Sequence, residues 1–138
     1  MKKTSSGFTL IELIIVLAVV AILGAILIPN FLNTTDRARL RSDVQSARVL
    51  QNALDLHNIE QRTQLTSSNE INAVIQTLAA LGYIDANRTA AQTAGAAFAF
   101  GSGGNIVVNI SGANETVRTT LFRQLSEQER NYVMGGQE

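Results

Sequence analysis

Residues 2–30 read KKTSSGFTLIELIIVLAVVAILGAILIPN, and the apolar run in this stretch decides the fold of the N-terminal part of the chain. Residues 13–28 contain no side chain that can form a hydrogen bond, and extending the run back to Phe8 adds only two polar residues, Thr9 and Glu12. A helix needs about 20 such residues to cross a bilayer. We therefore predict a transmembrane helix over residues 8–30.

A cleaved secretory signal peptide is the alternative interpretation, because Lys2 and Lys3 precede the apolar run. The hydrophobic region of a signal peptide is about 7–15 residues long and is followed by small residues of the A-x-A type. Here the run is longer, and only the sequence VVA at residues 19–21 approaches such a site. We expect the segment to remain in the protein.

Composition excludes several classes of function. The sequence has no cysteine, so disulfide bonds, thiolate metal sites and thiol nucleophiles are not available. Its formal net charge is zero, but both lysines lie within residues 1–7, and the rest of the chain has two more acidic than basic residues. A mildly acidic chain lacks the basic surface that nucleic-acid binding requires, so we predict no nucleic-acid site.

Glu12 is unusual, because a charged residue in a membrane helix costs about 2.5–3.5 kcal/mol at mid-bilayer and less near the ends. The string GFTLIEL at residues 7–13 resembles the processing signature of type IV prepilins and of the related pseudopilins of type II secretion and DNA-uptake systems. That signature is a Gly before the scissile bond, a Phe after it, a Glu four residues further on and an unbroken apolar run. The resemblance covers residues 1–35.

The resemblance implies a role for each of these residues. Prepilin peptidase would cleave between Gly7 and Phe8 and methylate the new amine of Phe8, which makes residues 1–7 a leader peptide. Glu12 would meet the Phe8 amine of a neighbouring subunit and set the register of assembly, because an unpaired carboxylate is costly in a low dielectric. Between Gly24 and Pro29 the helix would be able to lose hydrogen bonds in a filament.

The resemblance also implies what the protein does. It would be a structural subunit, without enzymatic activity, cofactor or metal, that is inserted in the bacterial inner membrane. An inner-membrane pilus assembly platform would polymerise it with copies of itself into an extracellular pilus. The alternatives are a type II secretion or competence pseudopilin and a membrane-anchored binding module that does not polymerise. Major pseudopilins often have a C-terminal calcium loop, for which Glu127 and Glu129 are not sufficient, and this difference favours a pilin.

Beyond Pro29 the apolar residues recur with the spacing of an amphipathic helix that continues to about residue 61. The stripe consists of Leu40, Val44, Ala47, Leu50 and Leu54, widened by Val49, Ala53 and Leu56. Counted from Phe8, the helix would be about 80 Å long at about 1.5 Å per residue. Its second half would belong to a globular head formed by residues 31–138.

Three arginines, Arg37, Arg39 and Arg41, follow the apolar segment. By the positive-inside rule alone they would place the head in the cytoplasm, whereas the resemblance requires the opposite orientation. We follow the resemblance. The arginines then form either a solvated helix face or contacts with acidic patches of neighbouring subunits.

The remaining sequence predicts a small α+β head, in which the long helix packs on an antiparallel sheet. A capping box at residues 67–70 would begin a helix that extends to 81, and residues 96–100 and 105–110 alternate as a β-hairpin would. A third helix over 115–125 would follow, and the tail at residues 131–138 would either add an edge strand or fray. His57 fits a packing or surface role and residues 101–104 fit a hairpin turn, so we predict no enzyme.

Overall fold

The computed structural model describes residues 8–61 and 64–136, with backbone alone for 27–32. Gly7 lies outside the described residues. The chain divides into two compact units, Met1–Thr35 and Asp36–Glu138. Helix α1 runs over Leu10–Glu60, 51 residues, and its backbone remains helical through Pro29. The prediction of one long helix is therefore confirmed.

In the first unit, the large apolar side chains between Leu10 and Ile26 are 50–75% exposed. They occur on every side of α1, as expected for a helix whose sequence is hydrophobic all round. Among the described residues, however, no helix is both long and apolar enough to cross a membrane. The membrane span predicted over 8–30 stays a prediction.

In the second unit, one face of α1 forms part of the core. The predicted stripe Leu40, Val44, Ala47, Leu50 and Leu54 is buried throughout. Leu56 was wrongly assigned to this stripe and is 46% exposed. At about 100° per residue it lies about 160° round the helix from Leu40, on the opposite face.

The rest of the head consists of short elements. Helix α2 covers Ile71–Ala80 and a 3₁₀ turn covers Ala86–Arg88. Strands β1 (Ala97–Phe100) and β2 (Ile106–Asn109) follow, then a π-helical turn over Val117–Leu121, helix α3 (Glu127–Arg130) and strand β3 (Val133–Met134). The α+β class is confirmed.

Two predicted details of the helices differ from the structure. The capping box at residues 67–70 does not form, because Thr66 and Asn69 close a turn with each other and α2 begins with Glu70 as an N-cap residue whose side chain accepts no hydrogen bond. The helix predicted over 115–125 is present, but its centre is the π-helical turn.

The sheet has the strand order β1-β2-β3. The predicted hairpin is confirmed, since β1 and β2 are antiparallel, with Phe98 opposite Val108, and Gly101 N–H donates to the Asn105 carbonyl at 2.8 Å. The prediction of a wholly antiparallel sheet is wrong, because β3 pairs in parallel with β2. The helical residues between β2 and β3 supply the crossover that a parallel pair requires.

Three polar side chains on α1 hold the head by hydrogen bonds to its main chain. Asp43 is 1% exposed and accepts from the N–H groups of Gln92 and Thr93 at 2.7 and 2.8 Å. Gln51 Oε1 accepts from Ile106 N–H at 2.7 Å. In addition, Asn58 donates to the Leu65 carbonyl and accepts from the Leu65 N–H, both at 2.8 Å.

The C-terminal segment, residues 126–134, is also attached to α1. Ser126 and Glu129 form a reciprocal capping box, with Ser126 N–H donating to Glu129 Oε2 at 2.8 Å. Arg41 lies 3.7 Å from Glu129 Oε1, and Arg48 stacks 5.0 Å from the centroid of the Tyr132 ring. Two of the three arginines after the apolar segment are thus paired within the chain, as Arg39 also contacts Asp36 at 3.6 Å.

Tyr83 makes two contacts with the C-terminal end of α1. His57 is buried and packs edge-on against Tyr83, with ring centroids 5.5 Å apart, which agrees with the predicted packing role. Tyr83 Oη donates to Glu60 Oε2 at 2.6 Å, and this hydrogen bond to a carboxylate raises the pKa of Tyr83 above its ordinary value.

Candidate assembly site at the N-terminus of the long helix

A reciprocal capping box forms the beginning of α1. Thr9 N–H and Thr9 Oγ1 both donate to Glu12 Oε2, at 2.9 and 2.7 Å. In return, Glu12 N–H donates to Thr9 Oγ1 at 3.4 Å. Thr9 is therefore the N-cap residue, and Glu12 is the acidic residue three positions later that completes the box.

The box has two physical effects. It satisfies N–H groups that a helix leaves unpaired at its N-terminus, and it places a negative charge where the helix dipole is positive. The Glu12 carboxylate is also held towards the end of α1 at which Phe8 lies. Among the described residues, Glu12 Oε1 accepts no hydrogen bond, so this oxygen is free for a donor from another molecule.

Sequence reasoning assigned Glu12 to subunit register but did not assign a role to Thr9. The spacing T-x-x-E at residues 9–12, immediately before an apolar run, was the signal that could have identified it. The structure places Phe8 next to Thr9, with 78% of its surface exposed. Cleavage at Gly7 and Phe8, methylation of Phe8 and the pairing of Phe8 with Glu12 stay predictions.

The apolar side chains after Glu12 form a surface that is exposed in the described part of the chain. Leu13, Leu17, Val20 and Leu23 are 53–60% exposed, and other large apolar residues up to Ile26 are similar. A monomer in water rarely exposes so large a contiguous apolar patch, and such patches mark contacts with membranes or other proteins. The chemistry of the surface is therefore that of a segment placed in lipid or against other apolar helices.

Gly24 and Pro29 both lie within α1. A Cβ atom added at Gly24 would meet nothing within 4 Å, so close packing against the described part of the chain does not explain a glycine there. The side chain of Pro29 is outside the described part. Local loss of helical hydrogen bonds between these two residues stays a prediction.

No arrangement in the described residues resembles a catalytic or metal centre. Within 8–61 and 64–136, no three His, Cys, Asp or Glu side chains are grouped so that they could hold a metal ion. The glycines at 101–104 form the hairpin turn.

Comparison with known proteins places the N-terminal segment in a described family. Residues 2–28 match the family described as "Prokaryotic N-terminal methylation motif". No solved structure gives a significant match to the chain.

Named relatives extend the similarity beyond the motif. The chain is 28% identical over 74 residues to "Type II secretion system core protein G" of Aeromonas hydrophila, which is 54% of this chain and 52% of the relative. The protein of the same name from Vibrio cholerae is 30% identical over 77 residues, covering 54% and 53% of the two chains.

"Type IV wide pilus major component PilA4" of Thermus thermophilus is 58% identical over 36 residues, 26% of this chain and 28% of that protein. The chain spans about half the length of the secretion relatives that it matches. The methylation motif and these relatives together show that the N-terminal part of the chain is similar to type IV pilins and type II secretion pseudopilins.

Proposed function

We propose that the chain is a structural subunit of a type IV pilus-like filament, polymerised through its N-terminal helix. One observation carries the proposal: an exposed apolar surface over residues 10–26 is combined with a single carboxylate, Glu12, held at its N-terminal end. The similarity to proteins named as components of a pilus and of a secretion system supports it.

The apolar surface provides the attraction between subunits. Before assembly it faces lipid in a membrane-anchored precursor, and after assembly it faces the same surface of other copies. Removing apolar area from water contributes about 25 cal/mol per Å², so a subunit extracted from the membrane is stable only if its helix is covered again. A filament core of packed helices covers it.

Glu12 provides the register. The α-amino group of processed Phe8 has an ordinary pKa of about 7.7–8.0 and is mostly cationic at neutral pH. Within a core of apolar helices, an unpaired carboxylate costs several kcal/mol, and a nearby amine offsets that cost. Thr9 holds one oxygen of Glu12, and the free oxygen accepts from the Phe8 amine of a neighbouring copy at one axial offset.

Processing precedes assembly in this proposal. Prepilin peptidase removes residues 1–7 on the cytoplasmic side by cleaving between Gly7 and Phe8, and the amine of Phe8 is methylated. The inner-membrane assembly platform then moves the subunit from the membrane into a fibre at the cell surface. Gly24 and Pro29 allow the helix to lengthen locally in the fibre.

The test is mass spectrometry of the N-terminal peptide from fibres sheared off the cell surface. We expect a peptide that begins at Phe8 and carries one added methyl group. A chain that retains residues 1–7, or one that begins after Ala21, would contradict both processing and the filament role. A processed chain that is found only in the membrane would favour a membrane-anchored binding module.

A pseudopilus of a type II secretion system is the second candidate. It is favoured by one observation, namely that the secretion relatives match about half of the chain whereas the pilus component matches 26%. Deletion of the gene in its own host separates the two roles. Loss of secreted enzymes with intact surface pili indicates a pseudopilin, and loss of surface pili with normal secretion indicates a pilin.

A further inference from the structure

A cavity of about 340 Å³, open to solvent, lies beside the C-terminal segment of the head. Its lining consists of Arg48 from α1 with Gln128, Asn131 and Tyr132, and it presents both polar and apolar surface. The volume falls within the range of about 300–1,000 Å³ that is usual for small-molecule sites. Nothing in the proposed assembly mechanism uses these residues.

Glu129 lies near two arginines, Arg41 and Arg48, of which Arg48 lines this cavity. Glu129 forms an ion pair with Arg41 at 3.7 Å, and the charges of both Arg41 and Arg48 help to hold the pKa of Glu129 below its ordinary value, after the larger effect of its hydrogen bonds from Ser126. One carboxylate thus faces two guanidinium groups. Arg48 itself forms no ion pair within 4 Å in the described part of the chain.

The orientation of Arg48 is fixed by stacking. Its guanidinium carbon lies 5.0 Å from the centroid of the Tyr132 ring. Its Nε is shielded from solvent and has no acceptor among the described residues, and its terminal nitrogens donate no hydrogen bond within that part of the chain. A planar, oriented guanidinium of this kind suits bidentate binding of a carboxylate.

The rim of the cavity carries two amides. Gln128 and Asn131 are exposed, and their side chains form no hydrogen bond with the described residues. Each amide offers both a donor and an acceptor, which is the combination that hydroxyl groups require. Asn131 also borders a second depression of about 230 Å³, whose polar lining includes Ser102 and Asn105, so the polar surface continues beyond the first cavity.

We propose that this cavity binds an acidic saccharide of the hexuronic acid class. The carboxylate is held by the terminal nitrogens of Arg48, and the ring hydroxyls are held by the amides of Gln128 and Asn131. The second depression accommodates the next sugar of a chain. The site belongs to the single subunit, so its test does not depend on whether the protein forms fibres.

The experiment is a titration of the full-length protein, in detergent micelles, with galacturonate. The signals followed by NMR are the Arg48 Nε–H and the side-chain amide of Asn131. We expect saturable shifts of both. Galactose has hydroxyls but no carboxylate, and acetate has a carboxylate but no ring hydroxyls, so each should bind at least about tenfold more weakly than galacturonate.

Variants assign the contacts. Arg48→Lys keeps the charge but loses the planar fork and should weaken galacturonate binding about tenfold or more. Because Arg48 also contacts Tyr132, exposed Gln128→Ala and Asn131→Ala provide a second test that does not threaten the fold, and each should weaken binding severalfold. Arg123→Lys, an exposed arginine outside the cavity, is the matched control.

Three outcomes would overturn the proposal. They are the absence of saturable shifts with galacturonate, equal affinity for galactose or acetate, and a loss of affinity in Arg123→Lys as large as that in Arg48→Lys. Thermal unfolding of every variant verifies that the head is intact.

Discussion

Asp43 is a buried carboxylate of α1 that holds part of the head in place. In the sequence it looks like one of the acids that offset the neighbouring arginines, yet it is 1% exposed and both of its oxygens accept main-chain N–H groups. These partners are 49 and 50 residues away in the sequence. Such a carboxylate fixes a distant loop on α1, and no local pattern identifies its partners.

Replacement of Asp43 should destabilise the head. In Asp43→Ala, the N–H groups of Gln92 and Thr93 lose their acceptors in a shielded position, so we expect the free energy of unfolding to fall by about 2–4 kcal/mol. Denaturant titration of the full-length protein in micelles, followed by tyrosine fluorescence, measures this, because both tyrosines lie in the head. Glu115→Ala, at an exposed acid, is the control, and an equal loss in both variants would refute the role of Asp43.

Glu129 should make the stability of the head depend on pH. Its hydrogen bonds from Ser126 and the neighbouring arginines hold its pKa below the ordinary value. The unfolded chain, with a carboxyl pKa of about 4.3, therefore binds this proton more readily. The contribution of Glu129 to stability is present above about pH 4.3 and is lost as the pH falls through the pKa of the folded state.

The measurement compares the wild type with Glu129→Gln between neutral and acidic pH. We expect the wild type to be more stable at pH 7 and the difference to shrink as the pH falls below about 4.3. Glu127→Gln, two residues away and exposed, should leave the pH profile unchanged. A constant difference between wild type and Glu129→Gln at all pH values would contradict the prediction.

At the scale of elements, α1 has two parts with different sequence patterns. Its N-terminal part is apolar on all sides, and its second part has one apolar face that also contains Asp43, Gln51 and Asn58. The spacing of apolar residues predicted the helix and most of its buried face. It did not predict the polar contacts, because these depend on which loop the fold brings to each position.

Strand β2 depends on other elements for the acceptors of its N–H groups. The N–H groups of Val108 and Ile110 donate to the carbonyls of Tyr132 and Met134, at 2.8 Å each, and that of Ile106 donates to Gln51 on α1. Strand β3 is too short to provide an acceptor for the Ile106 N–H group, and the side chain of Gln51 provides that acceptor instead. Alternation in the sequence predicted β2 but not the direction of β3.

Two loops of the head approach each other so closely that only glycine fits. Gly95 has φ +76°, and a Cβ atom there would lie 2.1 Å from the Gly112 carbonyl oxygen. Gly82 has a similar φ of +81°, but a Cβ atom there would meet nothing within 4 Å. A substitution at Gly82 therefore tests the left-handed backbone conformation alone, and one at Gly95 tests that conformation together with the steric contact.

Gly95→Ala should destabilise the head more than Gly82→Ala. Gly82→Ala incurs only the left-handed conformation, about 1–2 kcal/mol, whereas Gly95→Ala must also separate two loops. Denaturation midpoints of the two variants, measured under identical conditions, provide the comparison. Equal midpoints in the two variants would show that separating the two loops costs no free energy, which would contradict the prediction.

At the scale of the whole molecule, an exposed apolar helix segment and a head with a covered core occur in one chain. The first exposes apolar surface of the kind that lipid or another protein covers, and the second buries its apolar side chains within the chain. Substitutions should therefore separate assembly from folding, with Glu12 acting on the first and Asp43 on the second.

Glu12→Ala should greatly reduce surface fibres while the protein still enters the membrane at least as well as the wild type. The reason is that the substitution removes a charge from an apolar segment but also removes the proposed partner of the Phe8 amine. Shearing of fibres from cells and immunoblotting of membrane and surface fractions measure both quantities. Glu70→Ala, at an exposed acid of the head, is the control, and wild-type fibre yield in Glu12→Ala would refute the register role.

The sequence by itself determined the elements whose signals are local. The apolar run and the periodicity up to residue 61 specify α1, the motif at 7–13 indicates the family, and alternation around the glycines at 101–104 specifies the hairpin. Only the tertiary structure decided that β3 is parallel to β2 and that Asp43 is buried. The same holds for the attachment of the C-terminal segment by Arg41 and Arg48. The physical reason is that these contacts join residues far apart in the chain, where side-chain type indicates what a residue can bind but not what the fold places beside it.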